Sequence, residues 1–323
     1  MRKKFTVAIV ALIILAFSST ALAAGYSDVK SKDWYYQSIT ALSGQNYING
    51  YPNGKFLPNK NITREEFVTI LAKASGEDYK AFNATFSDVA TSLWSYHQIG
   101  WAAERGITSG RGNNKFAPTA TITRQEMATM IYRYKNYKGE APAITAQPYY
   151  SDRATISEYA QTPVQALYSY GGVSGMGNNK FEPTALSTRA QAAQIVYSSL
   201  ILNDRQRTTV FAKNFIGFRF VKGGTTPEGG FDSAGFVKYV YAQFGVQLTG
   251  DDPELMTQGR EVPYSGLNMG DMVCFGGDVP HVGIYIGNNQ FIHAANSDVG
   301  VVITNITGYY SKYFKYGRRL FDH

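Results

Sequence analysis

The sequence predicts an α+β chain in which an all-helical repeat module precedes a domain with a mostly antiparallel sheet. Two observations carry this. One motif recurs three times between Tyr26 and Leu200, and beyond Ser233 a single helical stripe gives way to short alternating runs separated by turns.

The chain opens with Arg2, Lys3 and Lys4, an apolar run from Phe5 to Phe17, and Ala21-Leu22-Ala23. A positive start, a short apolar stretch and a small-x-small site read as an export signal over residues 1–23. The run of thirteen residues falls short of the roughly 20 needed to span a bilayer, so no stable transmembrane anchor is expected after cleavage. The net charge of +7 drops to +4 once the three signal charges leave. With no basic block or nucleic-acid motif, nucleic acid is not an expected partner, whereas a polyanionic wall is compatible. Cys274 is the sole cysteine, so stability is expected from cores and repeats rather than disulfides.

The repeats open with Tyr26-Ser27-Asp28-Val29, Phe86-Ser87-Asp88-Val89 and Tyr150-Ser151-Asp152-Arg153. Their centres read Gly54-Lys55-Phe56-Leu57-Pro58, Asn114-Lys115-Phe116-Ala117-Pro118 and Asn179-Lys180-Phe181-Glu182-Pro183. Ile62-Thr63-Arg64, Ile122-Thr123-Arg124 and Ser187-Thr188-Arg189 then precede apolar-periodic segments, the arginines being offset by 60 and 65 residues. Each copy reads as helix, turn-rich loop, helix. Thr63 with Glu66 and Thr123 with Glu126 have capping-box spacing. In the third copy Thr188 is followed by Ala192, so the reciprocal carboxylate is missing and a weaker cap is expected. One such helix pair cannot bury its apolar face alone, so the three copies should pack together.

These motifs resemble the S-layer homology domain over residues 26–76, 86–139 and 150–200. The resemblance implies a pseudo-threefold helical bundle that binds a secondary cell-wall polysaccharide in grooves between copies. It makes Arg64, Arg124 and Arg189 groove arginines and sets Asp28 and Trp34 in the first opening motif. A guanidinium at a helix start, beside exposed backbone N–H groups, suits a carboxylate. The alternative is that each arginine pairs with Asp28, Asp88 or Asp152 and ties the bundle together. Arg153, Ser187 and Tyr159, which stands near the place of Trp34 and Trp94, make the third copy the most altered. Its groove is therefore expected to matter least, and Arg189 to contribute less to binding than Arg64 or Arg124.

After Asp204-Arg205-Gln206-Arg207 the rhythm changes. A short helix is expected over Val210–Ile216 and a longer one from Ser233, where Phe236, Val237, Val240, Tyr241 and Phe244 recur at helical spacing. Strands are expected over Asp271–Phe275, His281–Ile286, Phe291–Ala294 and Val301–Thr304. His281, Gly283 and Tyr285 should share one face, with His293 in the next strand across Asn288-Asn289. Ser233 at a helix start would face both histidines. Cys274 reads either as a small buried hydrophobe or as a relocated nucleophile.

Five blocks, Arg219–Gly224, Phe231–Gly235, Met269–Phe275, Pro280–Gly287 and Phe291–Ala294, resemble in order those of the NlpC-type peptidoglycan cysteine endopeptidases. The resemblance implies a papain-like α+β domain over residues 208–323 acting on peptidoglycan stem peptides at the D-glutamyl-diamino-acid bond. It makes His281 the general base, His293 its orienting partner and Ser233 the occupant of the nucleophile's place, where the family has Cys. Phe220, Lys222 and Asp232 fall at the substrate pocket, Phe220 and Lys222 in place of the family's Tyr and Trp. A serine hydroxyl is a far weaker acid than a thiol of pKa about 8.5, so an inactive or weakly active wall-peptide domain is expected. The alternatives are an active endopeptidase using Ser233, His281 and His293, or a purely structural surface-layer component. Neither a metal nor a cofactor is implied: the four histidines form no clustered ligand set. The expected location is the bacterial cell wall or S-layer surface, after secretion.

Overall fold

The structure, a computed structural model, describes residues 25–277 and 280–321. The expected export signal lies outside the described residues. None of the described helices is long and apolar enough to cross a membrane.

Each repeat contributes a first helix and a second helix: α1 (Tyr36–Gly44) and α2 (Arg64–Ser75), α3 (Tyr96–Glu104) and α4 (Arg124–Tyr137), α5 (Glu158–Ser169) and α6 (Arg189–Val196). The second helices start at threonine caps. Thr63 and Thr123 form the expected boxes with Glu66 and Glu126. The third cap corrects the expectation: Thr188 forms a complete box with Gln191, whose amide oxygen accepts the Thr188 N–H at 2.9 Å. An amide supplies the same acceptor as a carboxylate, without the charge.

The three copies close into a ring. The Ile62 N–H donates to Ser187 O (3.0 Å), the Ile122 N–H to Ile62 O (3.1 Å) and the Ser187 N–H to Ile122 O (3.0 Å). Helix starts leave unpaired N–H groups, and the neighbouring copy takes these as well. Arg64 N and Glu65 N donate to Ala120 O and Pro118 O, with equivalent bonds from Arg124, Gln125, Arg189 and Ala190. Phe56, Phe116 and Phe181, one from each repeat centre, are buried in the shared core.

The carboxy-terminal unit starts with α7, which spans Asp204–Ala212 and not the expected Val210–Ile216. Asn203 caps it in a box with Gln206, and a 3-10 turn over Lys213–Phe215 ends it. A small hairpin, β1 (Thr225–Thr226) and β2 (Gly230–Phe231), leads into α8 (Ser233–Ala242) and the single turn α9 (Asp252–Leu255). The remaining elements are β3 (Arg260–Val262), β4 (Met272–Phe275), β5 (His281–Gly287), β6 (Gln290–Ala294), β7 (Val301–Asn305), α10 (Tyr309–Tyr313) and β8 (Phe314–Arg319). The sheet order is β3-β8-β4-β5-β6-β7, every pair antiparallel. Asn288 and Asn289 join β5 to β6 with φ of 51° and 58°, the left-handed pair that a two-residue hairpin turn demands.

Strand alternation divides the sheet's residues between two packing layers. Met272, Cys274, Val282, Ile284, Ile292 and Ala294 join Phe236, Val237 and Val240 of α8 in the main core, while Val273, Phe275, Phe291 and Ile306 form a second cluster. The main core runs without a break into the repeat module through Tyr150, Tyr168, Phe211, Phe215 and Tyr239, whose rings meet at centroid distances of 5.2–6.3 Å. Tyr150 Oη also donates to Asn214 Oδ1 at 2.9 Å. The two units therefore share buried aromatic surface rather than a loose linker.

Candidate functional site

Arg64, Arg124 and Arg189 each occupy the first position of a second helix, and each is buried. Every Nε donates to the carbonyl of the central phenylalanine in the next copy: Arg64 to Phe116 (2.9 Å), Arg124 to Phe181 (2.7 Å) and Arg189 to Phe56 (2.9 Å). Each guanidinium also lies over that phenylalanine's ring, 4.5–4.8 Å from its centroid, a cation–π geometry. The aspartates are employed otherwise. Asp28 accepts the N–H groups of Phe56 and Leu57 at 2.8 and 2.9 Å, and Asp88 and Asp152 repeat this in their own copies. The arginines thus tie the ring together, though through main-chain carbonyls and not through aspartates. Nor do the helix starts present exposed N–H groups, because the adjacent copy takes them.

Beside each arginine lies a cleft rimmed by an exposed aromatic ring. Arg64 lines one of about 520 Å³ with Arg111, Glu126, Arg133 and Tyr159. Arg189 lines one of about 220 Å³ with Tyr51, Glu66, Lys73 and Trp94. Arg124 lines one of about 500 Å³ with Trp34, Met176, Gln191 and Gln194. Two corrections follow. The loop of the altered third copy walls the cleft of Arg124, not that of Arg189. All three arginines hold equivalent buried places, so the structure gives no reason for Arg189 to rank last.

In the carboxy-terminal unit, His281 Nε2 and His293 Nδ1 stand 2.6 Å apart, and His293 Nε2 lies 3.0 Å from Thr304 Oγ1. Phe291 stacks on the His293 ring at 4.3 Å and Tyr310 meets both imidazoles edgewise or tilted. Burial lowers His281 to about 4 and, with the adjacent His281, lowers His293 to about 3. Both rings are therefore neutral at pH 7.

Ser233 begins α8 and is buried. Its hydroxyl donates to Asp252 Oδ2 at 2.5 Å, and among the described residues no hydrogen bond joins it to either histidine. Burial raises the Asp252 carboxyl to about 6, against the bond from Ser233, and its Oδ1 is buried without a partner. Asp232 is occupied as the cap of α8: Oδ1 accepts from Gly235 N and Oδ2 from Gly223 N, both at 2.7 Å. That bond closes the Gly223-Gly224 loop on the helix start. Phe220 is half-buried beside Phe231, and Lys222 is exposed. Cys274 is fully buried, and burial pushes its thiol up to about 12. It pairs with Val282, one residue beyond His281, in the main core, which fits a small hydrophobe and not a nucleophile.

Asp252 and Thr304 reach the site from outside the five motif blocks. Thr304 pairs with Phe291 and lies two residues beyond Val302, the cross-strand partner of His293, so its face follows from alternation once the register is known. Asp252 stands 19 residues from Ser233 on a separate turn, so its approach to the hydroxyl is set by tertiary placement.

A closed triad of helix pairs fused to an antiparallel sheet, with a polar helix start and a histidine pair, makes a two-unit α+β protein. Residues 217–319 match the NlpC/P60 family, and residues 25–68, 85–128 and 149–193 match the S-layer homology domain. The chain is 37% identical over 136 residues to murein DD-endopeptidase MepS/murein LD-carboxypeptidase of Escherichia coli strain K12, covering 40% of this chain and 71% of that protein. It is 34% identical over 176 residues to an endoglucanase of a Bacillus species, covering 54% of this chain but 18% of that protein. It is 31% identical over 159 residues to the cellulosome-anchoring protein of Acetivibrio thermocellus, covering 48% of this chain and 35% of that protein. The chain belongs to the NlpC/P60 family and carries three S-layer homology repeats ahead of that domain. It is a cell-surface, wall-anchored protein of peptidoglycan-hydrolase-like construction.

Proposed function

We propose that the repeat module binds a secondary cell-wall polysaccharide, and that the NlpC-like domain engages peptidoglycan stem peptides while cleaving them negligibly. The observation that carries the second half is the Ser233–Asp252 bond of 2.5 Å, made in the absence of any Ser233–histidine bond among the described residues. A serine nucleophile needs a base that removes its proton as attack occurs. Here the proton is directed to a carboxylate, and His281, lowered to about 4, is a weak acceptor at neutral pH. A cysteine at the same place would need less help, because a thiol is a far stronger acid than a hydroxyl.

A time course on D-glutamyl-diamino-acid peptides with the natural chain, Ser233→Ala and Ser233→Cys tests the reading. Silence of the natural chain is expected. Robust turnover that disappears in Ser233→Ala would instead establish a serine endopeptidase using Ser233, His281 and His293. Wall attachment is tested by co-sedimentation with sacculi before and after chemical removal of the secondary polymer, and equal binding would sink the glycan half.

A further inference from the structure

The three clefts differ in charge. In the cleft of Arg64, Glu126 takes Arg64 Nη1 at 2.9 Å and Arg111 Nη2 at 2.8 Å. In that of Arg189, Glu66 stands 3.6 Å from the guanidinium. The equivalent residue in the cleft of Arg124 is Gln191, which is neutral. Seven residues after Glu66, Glu126 and Gln191 stand Lys73, Arg133 and Ser198, the last just past the end of α6, so this cleft has lost that cation as well as its carboxylate. Ser198 Oγ accepts instead from Gln194 Nε2 at 2.9 Å.

A cation stands there nonetheless. Lys213, from the turn that ends α7, lines the same cleft as Arg124 and Trp34. Among the described residues its ammonium has no hydrogen-bond or ion-pair partner, and burial pushes its pKa down. Arg124 spends Nε and Nη2 on the carbonyls of Phe181 and Ser174 and has no carboxylate partner among the described residues. The adjoining Asn214 accepts from Gly175 N at 3.1 Å and from Tyr150 Oη, which fixes the segment against the cleft wall. Two cations shielded from water and without a bonded carboxylate gain from the arrival of an anion. Trp34, 62% exposed at the rim, offers a flat apolar face to a sugar ring.

We infer that Lys213 is a binding residue of the Arg124 cleft, lent by the carboxy-terminal unit to the repeat module, and that it receives the acidic group of an anionic sugar. The inference rests on the wall-polysaccharide reading and adds a residue from outside the repeats. Polymer affinity at this cleft then depends on the second unit being docked.

The tryptophans allow a test in the full mature chain. With Trp94→Phe, Trp34 reports this cleft; with Trp34→Phe, Trp94 reports the cleft of Arg189; Trp101 is buried in both. The probes are a pyruvyl-ketal N-acetylhexosamine, an N-acetylhexosamine 6-phosphate and the uncharged parent sugar. At Trp34, Lys213→Gln should weaken binding of the tighter acidic sugar about fivefold to tenfold, with recovery in Lys213→Arg. At Trp94 it should change nothing. An unaltered Trp34 titration, equal loss at both reporters, or equal binding of the uncharged parent overturns the inference. Binding seen at Trp94 alone overturns it while leaving the wall-polysaccharide reading intact, whereas silence at both reporters and failure to bind sacculi overturn both.

Discussion

Replacing Arg124 by alanine should unfold the repeat ring more readily before it affects any ligand. The side chain donates to Phe181 O at 2.7 Å and Ser174 O at 3.0 Å and lies 4.8 Å from the Phe181 ring. Hydrogen bonds from a charged group contribute roughly 1.5–3 kcal/mol each, and the ring contact about 1 kcal/mol. Relief of the arginine's own desolvation offsets part of this, leaving an expected loss of about 2–4 kcal/mol. Arg124→Lys keeps the charge and stem but not the planar fork, so about half the loss is expected. The assay is urea unfolding of the full chain carrying Trp34→Phe and Trp94→Phe, followed by fluorescence of the buried Trp101. A loss below about 0.5 kcal/mol for Arg124→Ala would refute the claim that the carbonyl links hold the copies together. A binding defect in such a variant is interpretable only after this measurement, and the same applies to Arg64 and Arg189.

Three further outcomes are expected. Asp252, raised to about 6, binds a proton more tightly folded than unfolded, so its contribution is full below about pH 4 and lost as pH rises through 6; Asp252→Asn should raise the melting temperature at pH 8 and leave it nearly unchanged at pH 3.5. His281 and His293, lowered to about 4 and 3, act with the opposite sign: their contribution is full above about pH 6.5 and lost as pH falls through 4. In the Asp252→Asn background, melting temperature should therefore fall steadily on acidification from pH 6.5, and a flat profile would contradict the burial of the pair. Cys274 should react with a thiol reagent only at the rate of opening, and Cys274→Val should cost no more than about 1.5 kcal/mol in urea; fast labelling of the native chain would show that it is not the core residue described.

What the sequence disclosed was what local chemistry encodes. Thr63–Glu66 and Thr123–Glu126 are three residues apart, so the caps and starts of the second helices are visible without a structure. The third box is harder to see because an amide, Gln191, and not a glutamate reaches back to Thr188. His281 and His293 meet because a two-residue turn fixes the register of adjacent strands. The arginine latches were hidden because their acceptors are main-chain carbonyls 52, 57 and 133 residues away, which leave no side-chain signature. Asp252 and Lys213 lay beyond reach for a related reason: each meets its site from an element whose placement is tertiary.

The ring of Ile62, Ile122 and Ser187 has a consequence for how such a module can change. In a stacked array each unit greets a neighbour on either side, so units can be added and the two ends must be capped. Here every donor finds its acceptor one step around, and the third step returns to the first. A chain with two copies would leave a donor and an acceptor facing water, and a fourth would find no vacancy. The arrangement has no terminus at which to grow, so gain or loss of a single copy is a break in the circuit rather than an adjustment of length.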